Sequence, residues 1–581
     1  MPLTILAEPN VSVHIRNFAA LAEVFGLEPQ MCPATSNVIA ETGAAFVVDL
    51  SSLARLCSDD RMASLRALSR APGASILLLA TDAEPPTRAL LQQITEGAVD
   101  VANACAAATT AAFTSGHRDL TQELSGFSYP RRQGDALALT INDSSLTDIA
   151  MMLDGVPSFV RLRSSDATIF VWAAPSIFDP LKPLQAEREF EDCVEEYVPA
   201  IIFLRQALGA CGWVNRRKAA TVVIDDPLVK RRYGYIDFPR LLESARRTGY
   251  HVNLAYIPWN HWRSSAEAAS VFRDYSDCFS LCYHGCDHTK DEYGTSDYDL
   301  LLWKNSISIE RMRSHEARTG LACEPVMVCP QERYSREAMR SFADGRMFLA
   351  VANTACIAKD LDRAEVRGAD LLLPAQDCFD GIAVFKRHYH GSVPAFALGL
   401  FLGKPAILAA HHDLFRDGPS KIEQFASELE SISPGIEWMS LGTMAMRTSL
   451  VRRAATGRFE VRVFSDDFEF VGEAGTEYRI LRRLPAHAEL ENVTVNGEPV
   501  SFDRSTDFVA FNVSAVSPGR YSVRIRPRRR KAAVRTVGLG YRASVVLRRA
   551  LSELRDGLIV RNRPIMMVAQ SLARLFGQTA R

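Results

Sequence analysis

Two short stretches carry residue types that do chemistry. In Thr221-Val-Val-Ile-Asp225-Asp226-Pro227 the β-branched run Val222, Val223 and Ile224 leads into two adjacent carboxylates. Such a run reads as a buried strand, so the carboxylates stand where the strand should end. Phe279-Ser-Leu-Cys-Tyr-His284-Gly-Cys-Asp-His288 repeats the plan, with an apolar run ending in one histidine and a second four residues on. Taken as ligands, Asp226, His284 and His288 make an open site for a divalent ion, zinc among the candidates. An ion held there would lower the pKa of water towards ~7 and polarise a carbonyl. Asp225, beside a ligand but itself free, could take the water's proton. Neighbours on a strand point to opposite faces, so both aspartates reach one site only at a bend beyond the strand end. Pro227 is consistent with the strand stopping there. His411 or His412 would protonate a leaving group. Alternation allows one of them to face the site, and His411 directly follows the apolar run Ala406 to Ala410. Asp413 would orient one of the imidazoles. Cys278, Cys282 and Cys286 offer a competing ligand set, but without the C-x-x-C pairs usual in cysteine-rich zinc sites.

These residues need a scaffold that brings strand ends together. From about 218 to 450, β runs are expected at 222–224, 252–256, 279–283, 326–329, 348–352, 371–373, 382–385 and 406–410, most followed by helical patterns. About seven strands with crossovers in ~230 residues predict a (β/α) barrel, complete or open. Asp225, His284, Pro330, Asn353, Arg387 and His411 each stand just after a β run. In a parallel barrel those ends share one face, where active sites lie.

The chain is 581 residues long, above the ~250–300 at which a single core stops growing, so several domains are expected. A hydrophobic fraction of 47% and a net charge of −1 are ordinary for a globular protein and give no support for nucleic-acid binding. No basic-then-apolar leader opens the chain, and the twelve cysteines show no framework. A cytoplasmic location is therefore expected. The longest apolar run, 393–410, contains Lys404 and Pro405, which excludes a membrane span there.

Residues 1–215 alternate short strands with helical stretches, including helices at 13–25, 60–69 and 186–211. This pattern resembles a flavodoxin-like, amidotransferase-type domain. No G-x-C-x-G elbow is present, Cys105 falls in an Ala-rich run expected to be helical, and a scaffolding role follows. Residues 456–527 read as a small β-sandwich, with Asn496-Gly497 as a two-residue hairpin turn, serving to pack on the barrel or to bind sugar. Residues 528–581 form a basic tail with two helical patterns separated near Asn562-Arg-Pro564. The first carries an apolar stripe of Val546, Ala550 and Leu554, the second a weaker one of Met567, Ser571 and Leu575. Such a tail could lie on an anionic membrane at its inner face, attach to a polysaccharide-synthesis partner, or pack on its own protein. The expected architecture is thus α/β: a doubly wound flavodoxin-like domain (1–215), a distorted (β/α)7 barrel (216–450), a β-sandwich (456–527) and a helical tail.

The central motifs resemble those of the polysaccharide deacetylase family, carbohydrate esterases on a distorted (β/α) barrel. Thr221 to Pro227 is similar to the family's T-F-D-D-G, which implies Asp225 as base and Asp226 as metal ligand. His284-Gly-Cys-Asp-His288 is similar to its H-S/T-x-x-H, implying two histidine ligands. Leu408-Ala-Ala-His411 matches its L-x-x-H, implying the acid. Pro227 and Gly285 depart from the pattern. Val328-Cys-Pro330-Gln-Glu keeps the proline of the R-x-x-P motif without its arginine, and Arg333 and Arg387 are the candidates to replace it. The resemblance implies a metal-dependent hydrolase that removes acyl groups, chiefly N-acetyl, from a polysaccharide or glycan precursor. A glycosidase on a related barrel and a non-catalytic assembly protein of a polysaccharide pathway are the alternatives.

Overall fold

A computed structural model of the chain describes residues 3–7, 12–33, 45–54, 65–103, 108–132, 134–163, 166–357, 366–530 and 538–556. Its centre is a parallel sheet. The strands are β1 (Ala219–Asp225), β2 (Val252–Tyr256), β3 (Phe279–His284), β4 (Cys323–Val328), β5 (Ala350–Asn353), β6 (Ile382–Lys386), β7 (His388–Tyr389) and β8 (Ala406–Ala410). Their spatial order is β6-β5-β4-β3-β2-β1-β8-β7. β6 pairs in parallel with β5, while β7 pairs in parallel with β8. Only Arg387 separates β6 from β7, so one continuous segment joins the two ends of this parallel run; Gln376–Phe379 pairs antiparallel on the outer side of β6.

Alternation along these strands sorts two cores. Outward-facing Val222, Ile224, Leu254, Leu281, Met327, Val351, Val384 and Leu408 join a large core with the covering helices. Inward-facing Val223, Ala255, Cys282, Val328, Ala352, Phe385 and Ile407 form a second, enclosed core. Three of these seven are Ala or Cys, because the converging strands leave little room inside. Stepping two residues along each inward face reaches Asp225 from Val223, His284 from Cys282 and Arg387 from Phe385; four residues on from Ile407 comes His411. The covering helices start at defined points. Side chains of Asp237, Ser265, Asp297 and Ser335 each accept a backbone N–H in the first turn of the helix that follows.

In front lies a nine-stranded mixed sheet. Its parallel half has the order Pro29–Cys32, Leu3–Leu6, Ala45–Asp49, Ser75–Ala80, Thr168–Ala173, the 2-1-3-4-5 arrangement of flavodoxin-like sheets. Beyond Thr168–Ala173 it continues antiparallel through Val156–Arg163, Thr147–Leu153, Thr110–Phe113 and Ser128–Pro130. Helix Val198–Leu208 is almost wholly buried and joins this sheet to the central core. Behind, five-stranded and four-stranded sheets enclose a separate core around Ile480, Phe511 and Val523. Asn496 and Gly497, both with positive φ, make the turn between Leu490–Val495 and Glu498–Pro499. This unit is tied to the central sheet through buried Asp377, which accepts from Arg462 Nη2 at 3.1 Å and from Arg483 Nη1 at 3.2 Å.

Three local expectations are corrected. Leu371–Leu373 is not a strand; Gly368–Leu372 is a short helix, its start held by Asp370 accepting from the Arg367 N–H at 2.9 Å, and Pro374 follows it. A short apolar run does not distinguish a strand from a buried helical turn. The helix expected over 186–211 is broken into Arg188–Glu191 and Val198–Leu208, because Pro199 lacks the N–H needed to continue a helix and suits a first turn. In the tail, helix Leu539–Leu554 buries Val545, whereas Val546, Ala550 and Leu554 lie on its exposed side. Residues 60–64 of the helix expected at 60–69, the run holding Cys105, and the second tail pattern lie outside the described residues. Among the described residues, no helix is long and apolar enough to cross a membrane.

The small residues of the enclosed core have no spare room. Ala352→Leu adds three carbons there and should destabilise the protein by roughly 1–3 kcal/mol, read as a lower urea midpoint with the m-value unchanged.

Candidate functional site

Asp225 is the last residue of β1 and is buried. Arg387, fully buried, holds it in a two-pronged pair: Nη1 donates to Oδ1 at 2.8 Å and Nη2 to Oδ2 at 3.1 Å. Burial pushes the Asp225 carboxyl up, but Arg387 and then His284 outweigh it and hold the group at about 2. Of the two candidate arginines, Arg387 is therefore the one that pairs with Asp225. Arg333 does something else, pairing with Asp291 at 2.8 Å.

Asp226 lies just past the strand, with φ of +79°, a left-handed conformation that costs a non-glycine residue roughly 1–2 kcal/mol. That turn lets its carboxylate and that of Asp225 serve the same end of the sheet. Oδ1 of Asp226 faces His284 Nε2 at 3.7 Å and His288 Nε2 at 3.3 Å. The three ligand atoms lie within 4.8 Å of one another. Oδ1 is buried and, among the described residues, receives no hydrogen bond. A buried carboxylate oxygen is costly without a donor or a cation.

His284 Nδ1 lies 3.1 Å from the backbone oxygen of Val328. A carbonyl can only accept, so Nδ1 carries the proton and Nε2 presents its lone pair, as a metal-binding imidazole requires. Burial lowers the pKa of His284 to about 4, and that of His288 in the same direction, which keeps both rings neutral. One carboxylate and two neutral imidazoles, converging with unshared lone pairs, fit a divalent ion.

The loop bearing His288 is held from beneath. Glu292 accepts from the backbone N–H groups of Cys286, Asp287 and His288 at 2.9–3.1 Å. Lys304 donates to Asp287 at 3.0 Å and Glu292 at 3.2 Å, a single ammonium shared by two buried carboxyl groups. The fit is tight at Gly285, where φ is +63° and a Cβ would stand 2.3 Å from Glu292 Oε2 and 2.5 Å from Pro330 Cγ. Only glycine fits at this position. Cys286, Asp287 and Glu292 also cluster, but the Lys304 ammonium already supplies the cation. Cys278, Cys282 and Cys286 fall into three different cores and do not converge.

The other residues divide. Pro330 packs on Gly285. Asn353 Nδ2 donates to the backbone oxygens of Glu332 and Ala355, and its own carbonyl accepts the Arg387 N–H at 2.9 Å, so it braces the arginine. His411 follows β8 and stacks on Tyr389, whose hydroxyl bonds Glu332. His412 points elsewhere, with Nε2 3.6 Å from Asp556 in the tail. Asp413 is exposed and, among the described residues, bonds neither imidazole.

The tail helix Leu539–Leu554 lies over this end of the sheet. Tyr541 bonds Asp287, Arg548 Nη2 donates to the Asp287 backbone oxygen at 3.1 Å, and Glu553 pairs with Lys230 and Arg263. Arg549 Nη1 stands 4.0 Å from Asp226 Oδ1. Sequence spacing carried no signal of Glu292, Lys304 or these tail contacts.

No protein-family profile matches the chain, and no curated protein matches it in sequence. In structure it resembles solved polysaccharide deacetylases. The carbohydrate deacetylase Agd3 matches 90% of this chain and 98% of its own, at 9% identity and a TM-score of 0.44. A family 4 carbohydrate esterase from Streptomyces lividans, solved with acetate, covers 38% of this chain and 91% of its own, at 14% identity and TM-score 0.23. A family 4 acetyl xylan esterase from Clostridium thermocellum, solved with a cobalt ion, covers 39% and 90%, at 11% identity and TM-score 0.24.

Removing one partner of a buried ion pair leaves the other charge uncompensated. Arg387→Met should cost about 3–5 kcal/mol of stability. Adding Asp225→Leu should restore much of it in denaturant titrations. Two additive losses would show that the pair is not what makes Arg387 necessary.

Proposed function

We propose that the chain is a metal-dependent hydrolase that removes acyl groups, chiefly N-acetyl, from a polysaccharide or glycan precursor. The observation that carries this is the convergence of Asp226, His284 and His288 beside an arginine-held Asp225. Asp226 and the two Nε2 atoms would hold a divalent ion, zinc by donor type. When bound, such an ion acidifies water and polarises a carbonyl. Asp225 stays ionised because the paired Arg387 outweighs the opposing effect of burial, and it accepts the proton of the attacking water. His411, on the inward face of the neighbouring strand, delivers a proton to the leaving amine.

Support for a glycan substrate comes from the motif resemblance. We take residues 216–450 as a distorted (β/α)7 barrel closed through the 382–389 segment, with 1–215 as a non-catalytic scaffold and 456–527 as a packing sandwich. The glycosidase reading is weaker, since such chemistry needs two carboxylates flanking the bond, and Asp225 is committed to Arg387. A cytoplasmic enzyme working at the inner membrane face, with its tail on lipid or a synthesis partner, remains part of this proposal.

The purified protein should carry about one equivalent of zinc or cobalt, whereas a His284→Ala, His288→Ala double variant should carry none. Asp225→Asn should keep the metal and lose at least ~100-fold in acetate release from N-acetylated amino-sugar polymers, the scale of a lost general base. Retained turnover would remove Asp225 as base, and failure of the parent to take up metal would refute the hydrolase.

A further inference from the structure

The tail helix is attached to the candidate site along one full stripe. Tyr541, Val545, Arg548, Arg549, Ser552 and Glu553 recur at helical spacing and all face the central sheet. Val545 is buried against Ile257, Trp259 and Cys286, which belong to the segments following β2 and β3. Tyr541 and Arg548 take the Asp287 position, and Glu553 bridges Lys230 and Arg263. Asp556, just beyond the helix, accepts from the Tyr233 hydroxyl at 2.8 Å. The helix therefore bridges segments that follow β1, β2 and β3, the end of the sheet by which a polymer would have to reach Asp225.

Charge adds to this obstruction. Arg549 is largely buried, and its nearest anion is Asp226 Oδ1. That oxygen is the same atom on which His284 and His288 converge. A guanidinium and a divalent ion both lower the energy of this carboxylate, and in a buried setting they repel each other across it. Whatever favours the ion then disfavours the docked helix, and the reverse holds by linkage.

We propose that the C-terminal helix is an autoinhibitory lid, in which Arg549 stands in for the divalent ion's charge at Asp226 while the helix covers the substrate's approach. The inference rests on the metal site proposed above. Loading the ion and seating the helix are antagonistic, and the competent enzyme is the one with its tail displaced.

Cobalt titration of the full-length chain, with amide exchange followed at residues 539–556, tests this. Cobalt should speed exchange in the tail of the parent. Arg549→Leu should tighten cobalt binding about 10-fold, within the ~5–150-fold range of ordinary coupling between sites. Val545→Asp, which undocks the helix while leaving Arg549 itself in place in the sequence, should tighten it as well. Cobalt bound with tail exchange unchanged overturns the lid while leaving the hydrolase standing. Weaker binding in Arg549→Leu also overturns it, making Arg549 a support of the ligand carboxylate. No cobalt binding in parent or variants overturns the metal site and the lid together.

Discussion

Asp225 and Arg387 are both buried, and neither charge is tolerable there without the other. Everything else at the strand ends is arranged around that pair. Arg387 is the hinge between β6 and β7, so its position depends on β6 pairing with β5 and β7 pairing with β8 at once. Asn353 fixes its backbone. The pair in turn sets where β1 ends, and so where Asp226 turns out towards the histidines.

Two kinds of support hold the ligand atoms. Inward alternation alone places Asp225, His284 and His411, since each lies an even number of residues from a packed interior side chain. Asp226 and His288 lie beyond regular strand, both with positive φ, and need anchoring from elsewhere. For His288 that anchor is the Glu292 carboxylate collecting three backbone N–H groups above Lys304. Positions set by a strand are cheap to specify, whereas positions set by a loop require a buried polar network with every member satisfied.

This difference also explains what could be read from the sequence. β-branched runs ending in Asp or His were visible, because strand period and residue type are local. The aspartate pair, the H-x-x-x-H spacing and the preference for His411 all followed from them. The role of Arg387 was open between two arginines, since 162 residues separate it from Asp225 and no spacing rule spans that distance. Lys304 sits inside a long helix and looks like any solvated helix lysine until its partners are known. The tail was misleading in a specific way. Its apolar stripe of Val546, Ala550 and Leu554 faces outward, while a mainly polar stripe around Val545 faces the protein, because the surface it meets carries Asp226, Asp287, Lys230 and Arg263 beside one apolar patch. Leu371–Leu373 failed for a simpler reason: three leucines satisfy a strand and a buried helical turn equally well.

The segment at 382–389 has a consequence for biosynthesis. β1 is completed early, yet its final carboxylate gains its counter-charge only when residue 387 has been made, and β1 gains its second neighbour only with β8. At ~5–20 residues per second, that leaves roughly 10–30 s in which a nascent chain exposes a hydrophobic strand edge ending in an unneutralised acid. Over that interval the acid is useful, since a charge at the tip of an open edge discourages pairing with other chains. The residue proposed to handle a proton in the finished protein would first have served as a gatekeeper against aggregation on the ribosome.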